Sequence, residues 1–276
     1  MQEKESEPGI SPCADWRNPD HYRPLLAGDR HRWAGEWLRR NPAFVADLTG
    51  LCCCPFDTSS HVICDMDCPL APWGVRCCRV VGGGLFFWLA SCNPQVLQLE
   101  AGPLIDPLAA TVPDNPDALC CGRLPLLRGV VRGGDGQHLL FSDGARHLQL
   151  MVTGGDALAG PVLPGCTLRG LTEFGNKPLS VSRLYGLAHR GRLLRRLWVP
   201  ERRAPRWVLM LRALDGAASG ASQCEIAGIL FGSRAAGQDW DAGYRTRVQR
   251  LLAGARTMVR GGYRQLLDPQ GKPVPE

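Results

Sequence analysis

The chain has 276 residues, 45% of them hydrophobic and 21% charged, with a formal net charge of +6. No apolar run approaches the roughly 18 residues that a membrane span needs, so a helical membrane protein is excluded and a folded, soluble chain with no membrane partner is expected. The length predicts two domains and space for a small third. Their charge differs: residues 183–264 hold 16 Arg against five acids, whereas residues 1–182 sum to −4.

Unbalanced positive charge in one domain predicts a partner with regularly spaced negative charge, and double-stranded DNA is the expected one. The competing reading is a solvated Arg face in an Arg-biased chain, since 29 of the 32 basic residues are Arg. Their planar fork suits phosphate oxygens and guanine edges alike.

Residues 1–14 are polar, carry Pro8 and Pro12, and are expected to be disordered. No apolar stretch follows this acidic start, so it does not read as a signal peptide and a cytoplasmic location is expected. The run Asp15 to Tyr22 opens an ordered piece, and Asp29 to Arg40 reads as a helix capped by Asp29, with Trp33, Trp37 and Leu38 on one face. Asn41-Pro42 ends it, and a second short helix is expected from Phe44 to Leu48.

Residues 50–70 lack periodicity and read as a linker. Seven of the 13 cysteines, Cys52, Cys53, Cys54, Cys64, Cys68, Cys77 and Cys78, cluster in and beyond it. Cys64 and Cys68 with His61 and the Cys77-Cys78 pair could supply four ligands to an ion, yet paired Cys-x-x-Cys knuckles are absent and adjacent cysteines chelate one ion poorly. Reduced thiols acting as small hydrophobes are the preferred reading, with no metal and no other cofactor.

Short apolar runs follow. Val75 to Val81, Leu85 to Leu89, Val96 to Leu99, Arg128 to Arg132, His138 to Ser142, His147 to Val152 and Cys166 to Leu171 are predicted strands. Gly133-Gly134-Asp135-Gly136 and Ser142-Asp143-Gly144-Ala145 are predicted hairpin loops. Gly82 to Gly84 lacks the phosphate-loop pattern, the six histidines are dispersed, and no catalytic constellation is present, so the chain is not expected to be an enzyme.

From Ser180 the pattern turns helical, with Leu184, Leu187, Ala188, Leu194 and Trp198 on one face and Pro200 closing it. Pro205 suits the first turn of a helix from Trp207 to Leu214. Ser222-Gln223-Cys224-Glu225 is a capping box that starts the next, and Gly232 ends it. After a longer turn than the minimal helix-turn-helix has, Val248, Leu251, Leu252, Ala255 and Val259 form a stripe at helical period, giving a recognition helix from about 243 to 260. Thr246, Gln249, Arg250 and Ala253 lie opposite that stripe, with Arg245 and Arg247 on its flanks. Ser222, Gln223, Arg234, Arg245, Thr246, Arg247, Gln249, Arg250 and Arg206 are therefore the candidate DNA-binding residues, with Arg206, Arg212 and Arg234 assigned to phosphates. The competing reading is a helical bundle with a solvated basic face.

The expected fold is multidomain α+β: residues 1–14 disordered, a short N-terminal α-helical regulator domain at 15–50, a middle, mainly antiparallel β unit at 71–175, and a C-terminal all-α helix-turn-helix domain at 180–268.

The runs Arg-Arg-Ala-Pro-Arg-Trp at 202–207, Leu-Arg-Ala-Leu-Asp-Gly at 211–216, Gly-Ala-Ser-Gln-Cys-Glu-Ile-Ala at 220–227, Arg-Val-Gln-Arg-Leu at 247–251 and Gly-Gly-Tyr-Arg-Gln-Leu-Leu at 261–267 resemble a proteobacterial DNA-binding-domain family that includes the excision activator FseA and the antiactivator QseM. Asp-Trp-Arg-Asn-Pro-Asp-His-Tyr at 15–22 and Trp-Ala-Gly-Glu-Trp-Leu-Arg-Arg-Asn-Pro at 33–42 resemble the "transcriptional regulator" domain that precedes it in longer members. The resemblance implies a transcription activator, often carried on an integrative and conjugative element. The N-terminal Trp helix and the β unit are expected to contact RNA polymerase, a partner regulator or a second protomer. The resemblance also implies a second reading, an antiactivator that binds and silences an activator. Those relatives are short, whereas this chain retains the N-terminal domain.

Overall fold

The computed structural model describes residues 15–50, 61–63, 69–76, 85–102 and 116–268. The expectation for residues 1–14 and the Cys52 to Cys78 cluster lie outside them, as do residues 77–81 of the first expected strand. The chain forms two compact units, each discontinuous in sequence: one joins the N-terminal segment up to Ala27 to Glu201–Arg260, and the other joins Gly28–Pro200 to the segment from Gly261 onward.

The larger unit opens with α1 (Arg30–Leu38), whose N-cap Asp29 accepts from the Arg32 amide, and α2 (Pro42–Gly50). Trp33, Trp37 and Leu38 are fully buried, as the stripe predicted. Asn41 reverses the chain between the helices, its side-chain oxygen accepting from the amides of Ala43 and Phe44.

Among the described residues a six-stranded sheet follows: β1 (His61–Ile63), β2 (Leu97–Gly102), β3 (Leu127–Gly133), β4 (Gly136–Ser142), β5 (His147–Thr153) and β6 (Leu163–Gly165), in the order β1-β3-β4-β5-β2-β6. The pairings β3-β4, β4-β5 and β2-β6 are antiparallel, while β1-β3 and β2-β5 are parallel. The two predicted hairpins sit at the glycine-bearing loops. Gly136 has φ 131°, a left-handed conformation, and a Cβ there would meet the Val152 carbonyl. Among the described residues Val75 and Trp88 form an isolated bridge and Leu85 lies in a bridge as well, so the run expected as a strand from Leu85 to Leu89 holds isolated bridges.

The expected strand from Cys166 to Leu171 does not form. β6 ends at Gly165, and Gly170 begins α3 (Gly170–Arg190), ten residues before the helix expected from Ser180. Leu171 and Phe174 are exposed on the early turns, so no buried stripe announces them. The helix ends at Gly191 rather than continuing to Pro200, because Gly191 takes the left-handed cap at φ 63°. Leu184 and Leu187 pack with Leu193 and Trp198 onto one face of the sheet, against Leu99, Leu139, Phe141 and Leu150. Lys177 and Ser180 fix the helix by donating to the carbonyls of Val96 and Gln95.

The smaller unit contains α4 (Ala204–Ala218), α5 (Gln223–Phe231), α6 (Ser233–Ala236) and α7 (Arg245–Thr257), while α8 (Arg264–Leu267) belongs to the larger one. Among the described residues no helix is long and apolar enough to cross a membrane.

Candidate nucleic-acid interface

The smaller unit is built on α4, which buries Trp207, Met210, Leu211 and Ala213. On α7, Val248, Leu251, Leu252 and Ala255 are buried, as the sequence period required. Gly254 lets the two helices close, since a Cβ there would lie 3.1 Å from the Met210 methyl. α5 starts with the predicted capping box: Ser222 Oγ accepts from the Glu225 amide at 3.2 Å, and the Ser222 amide donates to the Glu225 carboxylate at 2.7 Å. That hydrogen bond holds the Glu225 carboxyl below its ordinary range. Ile226 and Ala227 are the buried face of α5, and the residue that permits close approach to α6 is Gly228, whose added Cβ would meet Ala236 at 3.1 Å.

The connection from α5 to α7 is not a simple turn. It contains α6 and a π-helical turn, Trp240–Tyr244, in which Gly243 at φ 129° breaks the helical path just before α7. Cys224 Sγ donates to the Ala236 carbonyl at 3.1 Å and ties α5 to α6.

Thr246, Gln249, Arg250 and Ala253 are exposed on α7 on the side away from its buried stripe, Arg245 and Arg256 are exposed on its flank, and Arg260 is exposed just beyond its end. Residues 245–260 contain five Arg and no acid. The surface so formed has fixed positive charge with hydrogen-bonding Thr and Gln set among it, a chemistry suited to phosphates and base edges. Arg247 is placed differently: its guanidinium lies 4.0 Å from the centroid of Phe231 and 5.9 Å from that of Tyr244, and the two rings are 5.5 Å apart. This stack braces α7 against α5.

The remaining residues are spread around the unit. Ser222 and Gln223 are exposed at the start of α5, Arg206 is exposed near the start of α4, and Arg234 on α6 forms an exposed 3.5 Å pair with Asp239. Arg212, grouped with the phosphate contacts on sequence, is 6% exposed. Its Nε and Nη2 donate to the carbonyls of Trp16 and Arg17, each at 2.9 Å, so it anchors the N-terminal segment instead. Residue type alone could not separate it from Arg206, because the acceptors lie some 195 positions away in the sequence. Among the described residues no group of His, Cys, Asp and Glu is arranged to hold a metal ion. Cys121 is buried, which pushes its thiol up to about 12.

The family model described as a proteobacterial transcriptional regulator-like domain matches residues 15–78, and the RovC model, described as a T6SS transcription factor DNA binding domain, matches residues 177–268. No curated protein matches the chain. The chain thus carries a region matching a proteobacterial transcriptional regulator-like domain ahead of a region matching a RovC-type transcription factor DNA-binding domain.

Proposed function

We propose that the chain is a sequence-specific regulator that reads double-stranded DNA with α7, through Arg245, Thr246, Gln249 and Arg250, while Arg206, Arg234, Ser222 and Gln223 contact the backbone and Arg247 holds α7 on α5. The observation that carries this reading is the acid-free, Arg-bearing exposed face of α7 opposite a fully packed stripe. It works as an elaborated helix-turn-helix, α5 supporting α7 across the longer α6 connection. Activation of transcription, contact with RNA polymerase or another regulator, and carriage on an integrative and conjugative element draw their support from the resemblance of both chain ends to activators of that kind. A bacterial regulator that acts on DNA works in the cytoplasm.

The test is binding of the full chain to DNA upstream of its own and neighbouring genes, titrated across salt and against scrambled competitor. Specific binding whose log affinity falls linearly with log salt supports the reading. Binding no tighter than to competitor would overturn it and favour an antiactivator, in which the same helices engage a protein.

A further inference from the structure

The larger unit carries a basic surface of its own, at the end of α3. From Phe174 to Pro200 the chain holds one Lys, five Arg and no acid, and the fold sorts these cations into two groups. Lys177 and Arg183 are buried and spent on the interior. Lys177 donates to the Val96 carbonyl, while Arg183 donates to the Leu197 carbonyl and the Gln95 side-chain oxygen with its guanidinium 4.4 Å from the Trp198 ring centroid. Arg190, Arg192, Arg195 and Arg196 are exposed, and among the described residues none of the four forms an ion pair. Arg190, in the last turn of α3, complements the helix dipole. The other three lie beyond the helix, where that explanation ends.

Their backbone is pinned. Leu193 and Trp198 enter the core on either side of them, and Leu197 packs against it. Leu194 lies over Gly186, where an added Cβ would come within 2.9 Å of the leucine Cδ1. The Leu197 amide donates to the Leu194 carbonyl at 2.9 Å, closing the 3-10 turn Arg195–Leu197. Apolar side chains thus face in and arginines face out from a short, well-anchored loop, which has little backbone freedom left to lose when a ligand binds. From His189 to Trp198 every exposed side chain is basic. The centre of a protein interface is depleted of charge, whereas a phosphate-contacting surface is dense in cations, and the Arg fork matches phosphate oxygens.

We propose that Arg190, Arg192, Arg195 and Arg196 form a second contact with the backbone of double-stranded DNA, supplied by the larger unit and independent of sequence. The proposal rests on the reading of the chain as a DNA-binding regulator and adds a contact that α7 does not make. The loop offers no helix or β-ribbon to enter the major groove, so it contributes affinity and salt dependence without discrimination between sequences.

The test is equilibrium binding of the full chain to two duplexes of equal length, the DNA upstream of its own gene and a scrambled version, at salt from about 50 to 200 mM. Each phosphate contact contributes about 0.9 to the slope of log affinity against log salt, so Arg192→Gln, Arg195→Gln and Arg196→Gln together should lower the slope by about 2.7 on both duplexes. The rise in salt then costs the variant about 40-fold less affinity than it costs wild type, and the ratio between the duplexes stays the same. Lys at the same three positions should keep the wild-type slope, because it keeps the charge. Circular dichroism checks the fold, and Arg192→Gln alone, with an expected loss of about 0.9, reads the same surface should the triple variant not fold. A wild-type slope in the Gln variant overturns the contact and leaves this face to an acidic protein. Equal binding of both duplexes by wild type, with the slope still lowered in the variant, would defeat sequence reading by α7 while this contact stands. A chain that binds neither duplex overturns both.

Discussion

The hydroxyl of Tyr22 donates to a carboxylate oxygen of Asp215 at 2.7 Å, joining positions 193 residues apart inside the smaller unit. Both side chains are buried, at 1% and 3% exposure. Around them Arg212 holds the Trp16 and Arg17 carbonyls, and the Trp16 ring lies against Gly216, where an added Cβ would come within 3.0 Å of it. The N-terminal segment is thus an integral layer on α4. The opposite exchange occurs in the larger unit, where Tyr263 Oη donates to the Trp73 carbonyl at 2.9 Å and the Tyr263 ring packs 6.1 Å from that of Trp88. Each end of the chain completes the unit begun by the other.

Removing the Tyr22 hydroxyl takes a partner from a buried carboxylate while leaving the ring in place. A buried acceptor deprived of a charge-assisted bond costs about 1–3 kcal/mol. Tyr22→Phe should lower the urea midpoint accordingly, and Trp16→Ala should cost more, about 3–5 kcal/mol, because it also opens a cavity over Gly216. A Tyr22→Phe protein as stable as wild type would show that the bond contributes nothing net.

The larger unit contains an acid-sensitive network. The His147 amide and Nδ1 bond the two oxygens of Asp29 at 2.7 and 2.8 Å, and His31 Nε2 lies 3.0 Å from the Asn93 amide nitrogen. Burial, only partly offset by Asp29 and reinforced by the charges of His147 and Arg183, lowers the His31 pKa to about 4. Burial alone would raise the Asp29 carboxyl, but the charge and hydrogen bond of His147, with His31 and the Arg32 amide, hold it well below its ordinary value. Unfolding restores the usual values, so below pH 6.5 the unfolded chain takes up a proton at His31 that the folded chain refuses. Stability therefore falls as pH drops from 6.5 toward 4, and falls further as the unfolded state protonates Asp29 below 3.8. Between pH 7 and 5 the His31 contribution is on the order of 1–2 kcal/mol. Urea midpoints measured across this range should show that slope, and His31→Asn should reduce it, leaving the part that comes from His138, whose pKa burial also lowers.

Local rules make part of this fold legible. Trp33, Trp37 and Leu38 repeat at the helical period, the Gly-Asp-Gly loop requires backbone only glycine adopts easily, and Ser222 with Glu225 satisfies its own helix end. What sequence does not show depends on distant partners. The parallel pairing of β2 with β5 joins strands separated by two others in sequence. The first half of α3 faces outward with Leu171 and Phe174, so burial period and helix boundary part company there. Arg212 and Arg247 read as nucleic-acid contacts by type, yet one is held by distant carbonyls and the other by Phe231. The exposed Arg and Gln of α7 are legible because the stripe opposite them is unambiguous.

On the proposed reading Ser222 both caps α5 and contacts DNA, and two variants separate these roles. Ser222→Ala removes the hydroxyl acceptor of the cap and should destabilise the protein by about 1 kcal/mol. Ser222→Asp preserves the cap but adds negative charge, so it should remain close to wild type in stability while weakening DNA binding. Equal DNA affinity in the two variants would remove Ser222 from the interface.

On the proposed reading the arginines of the smaller unit divide into readers and braces, and the division is measurable. Arg245→Ala and Arg250→Ala remove exposed charge with little packing, so stability should stay within about 0.5 kcal/mol. If both meet phosphates, the double variant should reduce the slope of log affinity against log salt by about 1.8; a base contact instead costs about 1–3 kcal/mol and relaxes specificity at one position. Arg212→Ala should do the reverse, lowering the urea midpoint by abolishing the bonds to Trp16 and Arg17 while leaving the salt slope of the folded protein unchanged. Arg247→Ala should fall between, since losing the stack on Phe231 and Tyr244 weakens the seating of α7 on α5, and Arg247→Met, which keeps an apolar stem over the ring, should recover stability but not charge. A double Arg245 and Arg250 variant that binds operator DNA with wild-type affinity and salt slope would place the reading surface elsewhere in the unit.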